Sequence, residues 1–452
     1  MNIFNEIKLL KYIDNYKTEL TDRKKSGSVF TNSKTINNML DKLPIGVWTN
    51  PKFKWFDPGC GIGNFHIIIF FRLMKSLPIQ CEEKRRKHII ENMLYFAEIN
   101  YEYINILKKI FCSDKYKINI FHGSYVYLNA LDKNIPIFNH DIFNTYFDIV
   151  VFNPPFQKPN SKDNNKLSSK PLYPFFVEES FKYLKDNGYL LCIHPVSWRR
   201  KSKEIKLINH ILNKHLLYIY TNNDFHDFGI SAPYINYYLI KNVEYNKDNL
   251  TEYETYFNNK YYKGNIHLKN TLEFIPLLLT NETMSIFEKV LNKIGDKLDV
   301  QLESKFSTTK KNISVQKTNE YIYLNSHSLS MKNGRIFRYS KVKHPSHDKL
   351  KILMNFQGGY RYLDPFIDCG TMGITDSSMR MYVNNDNKNL LLDFLKSDLF
   401  KFLLMATTYN YGTNQKNEFH IINLFTKPSI SDFYKFYSIK KKEQLFIEKN
   451  II

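Results

Sequence analysis

The sequence predicts an α/β protein whose larger part is a doubly wound, mostly parallel sheet of seven strands. Three observations lead to this fold class. Short apolar runs alternate with segments of helical period as far as about residue 245. A glycine-rich turn follows the first apolar run, and an acidic or amide side chain ends two of the others, where ligands bind to such a sheet. The predicted strands are 53–56, 93–98, 117–121, 146–152, 188–194, 215–220 and 233–241.

Helices are predicted between many of these strands, at 64–76, 100–111, 173–186 and 200–213. The segment from Lys158 to Lys170 is polar and has no apolar period. We interpret it either as a mobile loop beside a ligand pocket or as a passive linker.

The glycine-rich turn runs from Asp57 to Gly63, between the apolar runs 53–56 and 66–71. Its Gly-x-Gly-x-Gly spacing lets a ligand approach the backbone closely, next to the start of a helix. The spacing Gly-x-x-x-x-Gly-Lys-Ser/Thr is absent from the sequence, which argues against a phosphate-gripping nucleotidase loop. The turn therefore indicates a cofactor site of the nucleotide-binding α/β type.

Glu98 ends the second predicted strand, 93–98. A carboxylate in this position can accept from both ribose hydroxyls of an adenosine-containing cofactor. The alternative is a solvated carboxylate at a strand end, which is the commoner situation.

The fourth predicted strand, 146–152, is followed directly by Asn153-Pro154-Pro155-Phe156. The prolines fix φ near −65° and remove two backbone donors, which leaves the carbonyl groups of Asn153 and Pro154 outside the sheet ladder. A planar amino group needs two acceptors before its lone pair can attack an electrophile, and the Asn153 side-chain oxygen and the Pro154 carbonyl can supply them. Phe156 offers a face on which a ring can stack. The alternative is a surface turn, since Asn-Pro favours turn initiation.

Together these motifs resemble the S-adenosylmethionine-dependent DNA N6-adenine methyltransferases of the gamma arrangement, found in restriction-modification systems, which have a Rossmann-like class I methyltransferase fold. Gly27 to Asn32, followed by the helical segment from Ser33 to Leu40, is similar to the first cofactor motif of that group. Asn32 replaces the usual proline. Thr31 would then cover the methionine end of the cofactor, or it would simply cap the helix.

The resemblance implies a complete set of site residues. Ser124 stands near the position where the family places an acidic residue beside the adenine of the cofactor, and Phe225, with Phe228 as second choice, stands where the family has a second base-stacking aromatic. Core packing is the alternative role for these two rings. The implied catalytic residues are Asn153, Pro154, Pro155 and Phe156; the implied cofactor residues are Phe30, Thr31, Asp57, Pro58, Gly59, Gly61, Gly63, Glu98, Ser124 and Asn153; the implied base-stacking residues are Phe156, Phe225 and Phe228.

The length of the chain predicts two domains, a catalytic domain at 1–244 and a C-terminal α+β target-recognition domain at 245–452. In the second part, aromatic runs such as Tyr321–Leu324 precede a leucine-rich segment that predicts one helix from Lys388 to Met405. A net charge of +20 suits a polyanionic partner but is also compatible with a basic soluble protein. The five cysteines and the histidines show no spacing typical of a metal site.

From these features we expect a monomer in the cytoplasm of a bacterial or virus-infected cell, because no signal peptide or transmembrane segment is found. We expect double-stranded DNA as substrate, base flipping before transfer, and a separate cognate restriction endonuclease as a partner. Two alternatives remain open. One is an amino-methyltransferase acting on RNA or on protein glutamine, and the other is a catalytically silent DNA-binding specificity subunit.

Overall fold

The computed structural model divides the chain into two compact units, the first formed by Met1–Ile230, Ile235–Glu254 and Lys263–Glu273, and the second by Ser231–Tyr234, Thr255–Tyr262 and Phe274–Ile452. None of the described helices has the length and apolar character required to cross a membrane. The residues that the structure describes are 2–16, 30–126, 135–159, 167–201, 206–222, 234–303, 305–306, 313–317, 320–325, 335–355, 363–409 and 419–451.

A nine-stranded sheet is the central element of the first unit, with the strand order β11-β10-β8-β9-β7-β4-β1-β2-β3. Strands β3, β2, β1, β4 and β7 run parallel to one another, and β9 is antiparallel to both β7 and β8. A separate hairpin is formed by β5 and β6. The strands are β1 Trp55–Asp57, β2 Leu94–Glu98, β3 Asn119–His122, β4 Phe147–Phe152, β5 Gln157–Pro159, β6 Leu167–Pro171, β7 Leu184–Pro195, β8 Lys214–Asn222, β9 Ile235–Glu244, β10 Thr251–Phe257 and β11 Lys260–Ile266.

Seven helices are described in the first unit. The helices are α1 Glu6–Asn15, α2 Ser33–Leu40, α3 Asn64–Ser76, α4 Glu82–His88, α5 Tyr101–Ile110, α6 Tyr173–Tyr183 and α7 Leu207–Leu212.

The helix that follows the glycine turn, α3, is almost entirely buried because its apolar run leaves no polar face for solvent. It packs in one hydrophobic core with β1, β2 and β4. His66 lies within this core with its Nε2 3.3 Å from the carbonyl oxygen of Trp55, and burial lowers its pKa to about 3. The imidazole is therefore neutral and structural.

The structure confirms the predicted fold class, with corrections to the number of strands and to the polar segment. Two further strands, β10 and β11, extend the sheet to nine, so the first compact unit continues beyond the predicted boundary at 244. At the two ends of the predicted polar segment 158–170, the strands 157–159 and 167–171 pair antiparallel, because ladder hydrogen bonds satisfy a backbone that has no apolar period of its own. Residues 160–166 of that segment lie outside the described residues.

The second unit has the α+β character predicted for it. A four-stranded sheet has the order β12-β18-β15-β16, and a three-stranded sheet has the order β14-β13-β17. A core of Leu324, Leu353 and Ile374 joins strands of both sheets. The elements are β12 Val300–Leu302, β13 Tyr321–Asn325, β14 Ile336–Ser340, β15 Lys351–Asn355, β16 Phe366–Asp368, β17 Met372–Ile374, β18 Ser378–Tyr382, and α8 Asn281–Leu291, α9 Lys388–Lys396, α10 Asp398–Thr407, α11 Phe419–Ile422, α12 Phe433–Phe436 and α13 Lys441–Asn450.

The single helix predicted from Lys388 to Met405 is wrong, since two helices occupy this segment. Ser397 ends the first helix with extended backbone, and its hydroxyl accepts from the N–H of Phe400 at 3.2 Å as the cap of the second. A serine within a leucine-rich run thus interrupts the helix through the capping bond that its short side chain can make.

Gly63 should be the glycine of the turn that tolerates substitution least. Its φ is +91°, and a Cβ atom there would lie 2.5 Å from Cδ2 of Leu107. We expect Gly63→Ala to lower the free energy of unfolding by about 2–4 kcal/mol. Urea unfolding followed by tryptophan fluorescence measures this in the first unit, which contains all three tryptophans. Gly46→Ala is the matched control, because a Cβ atom there meets nothing within 4 Å; equal stability of the two variants would contradict the prediction.

Candidate active site

A cavity of about 390 Å³ lies at the carboxyl ends of β1, β2, β3 and β4. Its volume is typical of a small-molecule site. The lining residues are Phe30, Thr31, Asp57, Pro58, Gly59, Cys60, Gly61, Asn64, Phe65, Glu98, Ile99, Asn100, Tyr103, Gly123, Ser124, Tyr125, Val126, Asn153, Pro155, Leu172 and Phe176.

The glycines of the turn admit aromatic rings where side chains would otherwise stand. A Cβ atom at Gly61, where φ is +55°, would lie 2.6 Å from Cε1 of Phe30. A Cβ atom at Gly59 would lie 3.2 Å from Cε1 of Phe176. The turn therefore forms one wall of the cavity with two rings packed against its backbone.

Glu98 holds together the turns that follow three adjacent strands. Its Oε2 accepts from the N–H of Gly61 at 2.7 Å, and its Oε1 accepts from the N–H groups of Ile99 and Asn100 at 2.9 and 2.8 Å. The N–H of Gly123 donates to the Glu98 carbonyl at 3.0 Å. A carboxylate has about four acceptor sites, so three backbone bonds leave capacity for a ligand hydroxyl.

Two buried carboxyl groups face the cavity. Burial raises the pKa of Asp57 well above its usual range, although the N–H of Gly59 donates to its Oδ1 at 3.1 Å, and the charge of Glu98 raises it further. Burial also raises the pKa of Glu98, against the effect of its three backbone bonds. Bringing both groups into their charged forms costs free energy that a cationic ligand would offset.

Asn64, the first residue of α3, contributes a further acceptor. It is 4% exposed, and its Nδ2 donates to the carbonyl oxygen of Thr31 at 3.0 Å. Among the described residues, no donor lies within hydrogen-bond distance of its buried Oδ1. Two carboxyl groups, a buried amide oxygen and a glycine cradle fit an adenosine-containing cofactor that carries positive charge.

Thr31 and Asn153 meet across the cavity wall. The Nδ2 of Asn153 donates to Oγ1 of Thr31 at 2.9 Å. The alternative role of Thr31 as a helix cap is wrong, because Asn32 caps α2 by accepting from the N–H of Thr35 at 2.8 Å. The replacement of the usual proline by Asn32 thus supplies the cap and leaves the Thr31 hydroxyl to the site.

The residues after Asn153 are held by the structure around them. Pro154 is buried, Pro155 lines the cavity, and the half-buried ring of Phe156 packs against the core. The carbonyl oxygen of Phe156 accepts from the N–H of Leu172 at 2.9 Å. This bond ties the segment that follows β4 to the residue preceding α6.

Ser124 lines the cavity after β3, where the family usually has an acidic residue. Its hydroxyl donates to the carbonyl oxygen of Val126 at 2.7 Å. With its hydrogen used in this way, the hydroxyl oxygen can still accept one hydrogen bond from a ligand.

The structure brings together nine of the ten predicted cofactor residues, since only Gly63 lies outside the lining set. Gly63 instead packs against Leu107, which explains its identity without a ligand. The base-stacking candidates Phe225 and Phe228 lie outside the described residues. Sequence reasoning missed Tyr103 and Phe176, which reach the cavity from helices α5 and α6 and carry no local signal. It also missed Asn64 and Ile99, which directly follow predicted site residues, and Asn100, which stands one position further on.

The strand order and the position of the cavity define the class I methyltransferase fold. Residues 13–228 match the family model described as "Eco57I restriction-modification methylase". The match confirms the resemblance to restriction-modification methylases that the motifs predict.

Two known proteins illustrate the similarity. An "Uncharacterized adenine-specific methylase" of Mycoplasma pneumoniae (strain ATCC 29342 / M129 / Subtype 1) is 25% identical, over 44% of this chain and 64% of its own length. The chain therefore spans less than two thirds of that relative. The type IIL restriction-modification enzyme MmeI, solved in complex with DNA, has a TM-score of 0.52 and 12% identity, covering 88% of this chain and 68% of its own. This second likeness concerns the fold.

The raised pKa of Asp57 predicts how stability depends on pH. Because the folded pKa lies above the ordinary value of 3.8, protonation stabilises the fold, and this contribution is lost as pH rises through the folded pKa. The Asp57→Asn variant lacks that loss. Its stability relative to the wild type should therefore increase as the pH rises above about 4, by at most about 1.4 kcal/mol per pH unit.

Urea unfolding followed by tryptophan fluorescence, without added ligand, measures this difference at each pH. The exposed Asp114 provides the control substitution, Asp114→Asn. If the free energies of unfolding of Asp57→Asn and the wild type differed by the same amount at every pH, ionisation of Asp57 would not destabilise the fold.

Proposed function

We propose that this protein transfers a methyl group from S-adenosylmethionine to N6 of an adenine flipped out of double-stranded DNA. The observation that carries the proposal is the placement of Asn153 on the wall of the same cavity as the glycine turn, Asp57 and Glu98. An amide that can accept from an amino group and a cradle for an adenosine-containing cofactor thus share one space. The match of residues 13–228 to the restriction-modification methylase family supports this reading.

The proposed cofactor residues divide by the part of the molecule that each would hold. Glu98 would accept from the ribose hydroxyls, and Ser124 would accept from the amino group of the adenine. Phe30 and Thr31, with the acceptor oxygen of Asn64, would enclose the amino-acid end, and Asp57 would offset its positive charge. S-Adenosylmethionine, when bound, supplies an electrophilic methyl group on a sulfonium sulfur.

Asn153 and Pro154 perform the central step of the proposed mechanism. The Asn153 side-chain oxygen and the Pro154 carbonyl accept from the two N–H bonds of the adenine amino group, which draws the nitrogen toward tetrahedral geometry. The lone pair of this nitrogen can then attack the methyl group of the cofactor, in line with the bond from that methyl group to sulfur. The main demand of such a reaction on the protein is positioning. The methylated ammonium is strongly acidic, so its extra proton leaves after transfer without a dedicated general base.

Phe156 is proposed to stack on the flipped base, with Phe225 or Phe228 on its other face. Extrusion of a base costs a few kcal/mol, which stacking and phosphate contacts must offset. The second unit is proposed to recognise the DNA sequence, and the net charge of +20 favours a polyanionic partner. A separate endonuclease would complete the restriction-modification pair.

Asn153→Ala should abolish methyl transfer while cofactor binding persists. The substitution removes one acceptor for the amino group, whereas the carboxyl groups and the glycine turn remain. Transfer of a tritiated methyl group to DNA measures the first effect, and titration calorimetry with S-adenosylmethionine measures the second. Near-normal transfer by the variant would contradict the assignment of the pocket.

The wild-type chain in the same experiments separates the alternatives. A silent specificity subunit need not bind S-adenosylmethionine, and an enzyme acting on RNA or protein glutamine would label those substrates instead of DNA. Long-read sequencing of DNA from cells that express the wild type, compared with Asn153→Ala, would report the modified base together with its sequence context.

Ser124→Ala should weaken S-adenosylmethionine binding by about 2- to 10-fold, because a neutral hydrogen bond contributes about 0.5–1.5 kcal/mol. Calorimetry measures the change. Ser76→Ala is the matched control, since the Ser76 hydroxyl also donates to backbone carbonyls but lies outside the cavity. An unchanged affinity of Ser124→Ala would exclude a contact between this hydroxyl and the cofactor.

A further inference from the structure

Thr31 connects two motifs that are far apart in sequence. Its Oγ1 accepts from Nδ2 of Asn153 at 2.9 Å, across 122 positions of the chain. Thr31 is 2% exposed and Asn153 is half-buried, so this bond is partly sheltered from water. A sheltered bond holds its partners in a defined orientation more firmly than one that competes with solvent.

The local structure does not require the Thr31 hydroxyl. Asn32 performs the capping of α2, and the backbone of Thr31 is fixed separately by the bond from Nδ2 of Asn64 to its carbonyl oxygen. Asn64 begins the helix after the glycine turn, which places Thr31 between that turn and Asn153. Asn64 therefore fixes the backbone of Thr31, and the Thr31 hydroxyl is directed at the Asn153 amide.

A carboxamide is asymmetric, with an acceptor at one end and two donors at the other. Pro154 and Pro155 fix the backbone beside Asn153 but do not restrict rotation of the side-chain amide about its Cβ–Cγ bond. A half-turn of the amide would present N–H groups to the amino group of the substrate, which itself needs acceptors. In the observed arrangement the Thr31 hydroxyl accepts from the nitrogen of Asn153, which places the oxygen at the opposite end of the group.

We propose that Thr31 is a positioning residue that fixes the Asn153 carboxamide in the orientation needed for methyl transfer, an inference that rests on the proposed function. It acts through Asn153 and forms no bond to the reacting atoms. Thr31 also forms part of the cavity wall, which Thr31→Val preserves. The competing role is a direct hydrogen bond from its hydroxyl to the amino-acid end of the cofactor, and the two roles differ in the step that loss of the hydroxyl would impair.

Thr31→Val replaces the hydroxyl by a methyl group of similar size and removes the acceptor. We expect the single-turnover rate of methyl transfer to fall about 10- to 100-fold, because small misplacement of a reacting group is costly. The dissociation constant of S-adenosylmethionine, measured by calorimetry, should stay within about threefold of the wild-type value. Thr31→Ser restores the acceptor and should recover most of the rate lost in Thr31→Val.

The matched control is Thr35→Val, which makes the same chemical change on α2, where the Thr35 backbone N–H bonds to Asn32. It should leave the rate within about threefold of the wild type. A wild-type rate in Thr31→Val overturns the inference. So does a loss of rate that disappears at saturating S-adenosylmethionine, because that pattern belongs to a cofactor contact.

A double-mutant cycle tests the bond without reference to activity. The variants Thr31→Val, Asn153→Ala and their combination are compared by urea unfolding followed by tryptophan fluorescence. Non-additive effects support the coupling, and additive effects overturn it. A wild type that binds S-adenosylmethionine but methylates no DNA would contradict the proposed function instead, and the cycle would still decide whether Thr31 and Asn153 are coupled.

Discussion

The candidate site depends on the hydrogen bonds that the carboxylate of Glu98 accepts. Its two oxygens accept from backbone N–H groups in the turns after β1 and β2, and its own carbonyl accepts from Gly123 after β3. Parallel strands bring their carboxyl ends to one edge of a sheet, but the turns beyond that edge have no ladder partners. One acidic side chain supplies partners for two of these turns and fixes the cavity between them.

This arrangement concentrates acidic groups in a buried space. Burial raises the pKa of Asp57 and of Glu98, so the protein bears a cost whenever both are ionised. The buried acceptor oxygen of Asn64 adds to the same polarity. A site of this kind favours a ligand with hydroxyl, amino and cationic groups. Binding of such a ligand should stabilise the folded state, because it offsets the cost of the buried charges.

Much of the architecture was predictable because its signals are local. The helices at Ser33–Leu40 and Asn64–Ser76 have the predicted bounds, since capping residues and apolar period determine them. The observed strands of the sheet agree with the predicted ones to within a few residues. The exceptions are β10 and β11, which lie beyond about residue 245, where strands and helices no longer alternate in the sequence. The paired strands at 157–159 and 167–171 were missed because pairing between strands, and not apolar period, stabilises them.

The sequence by itself determined the order of the strands along the chain, the glycine turn and the Asn-Pro-Pro-Phe segment, and from these the family and the chemistry proposed for it. These features follow from residue types at fixed local spacing. Only the tertiary structure decided that Thr31 holds the amide of Asn153 and that the rings of Tyr103 and Phe176 enter the cavity. Each of these contacts depends on how helices dock against the sheet, which local spacing does not specify.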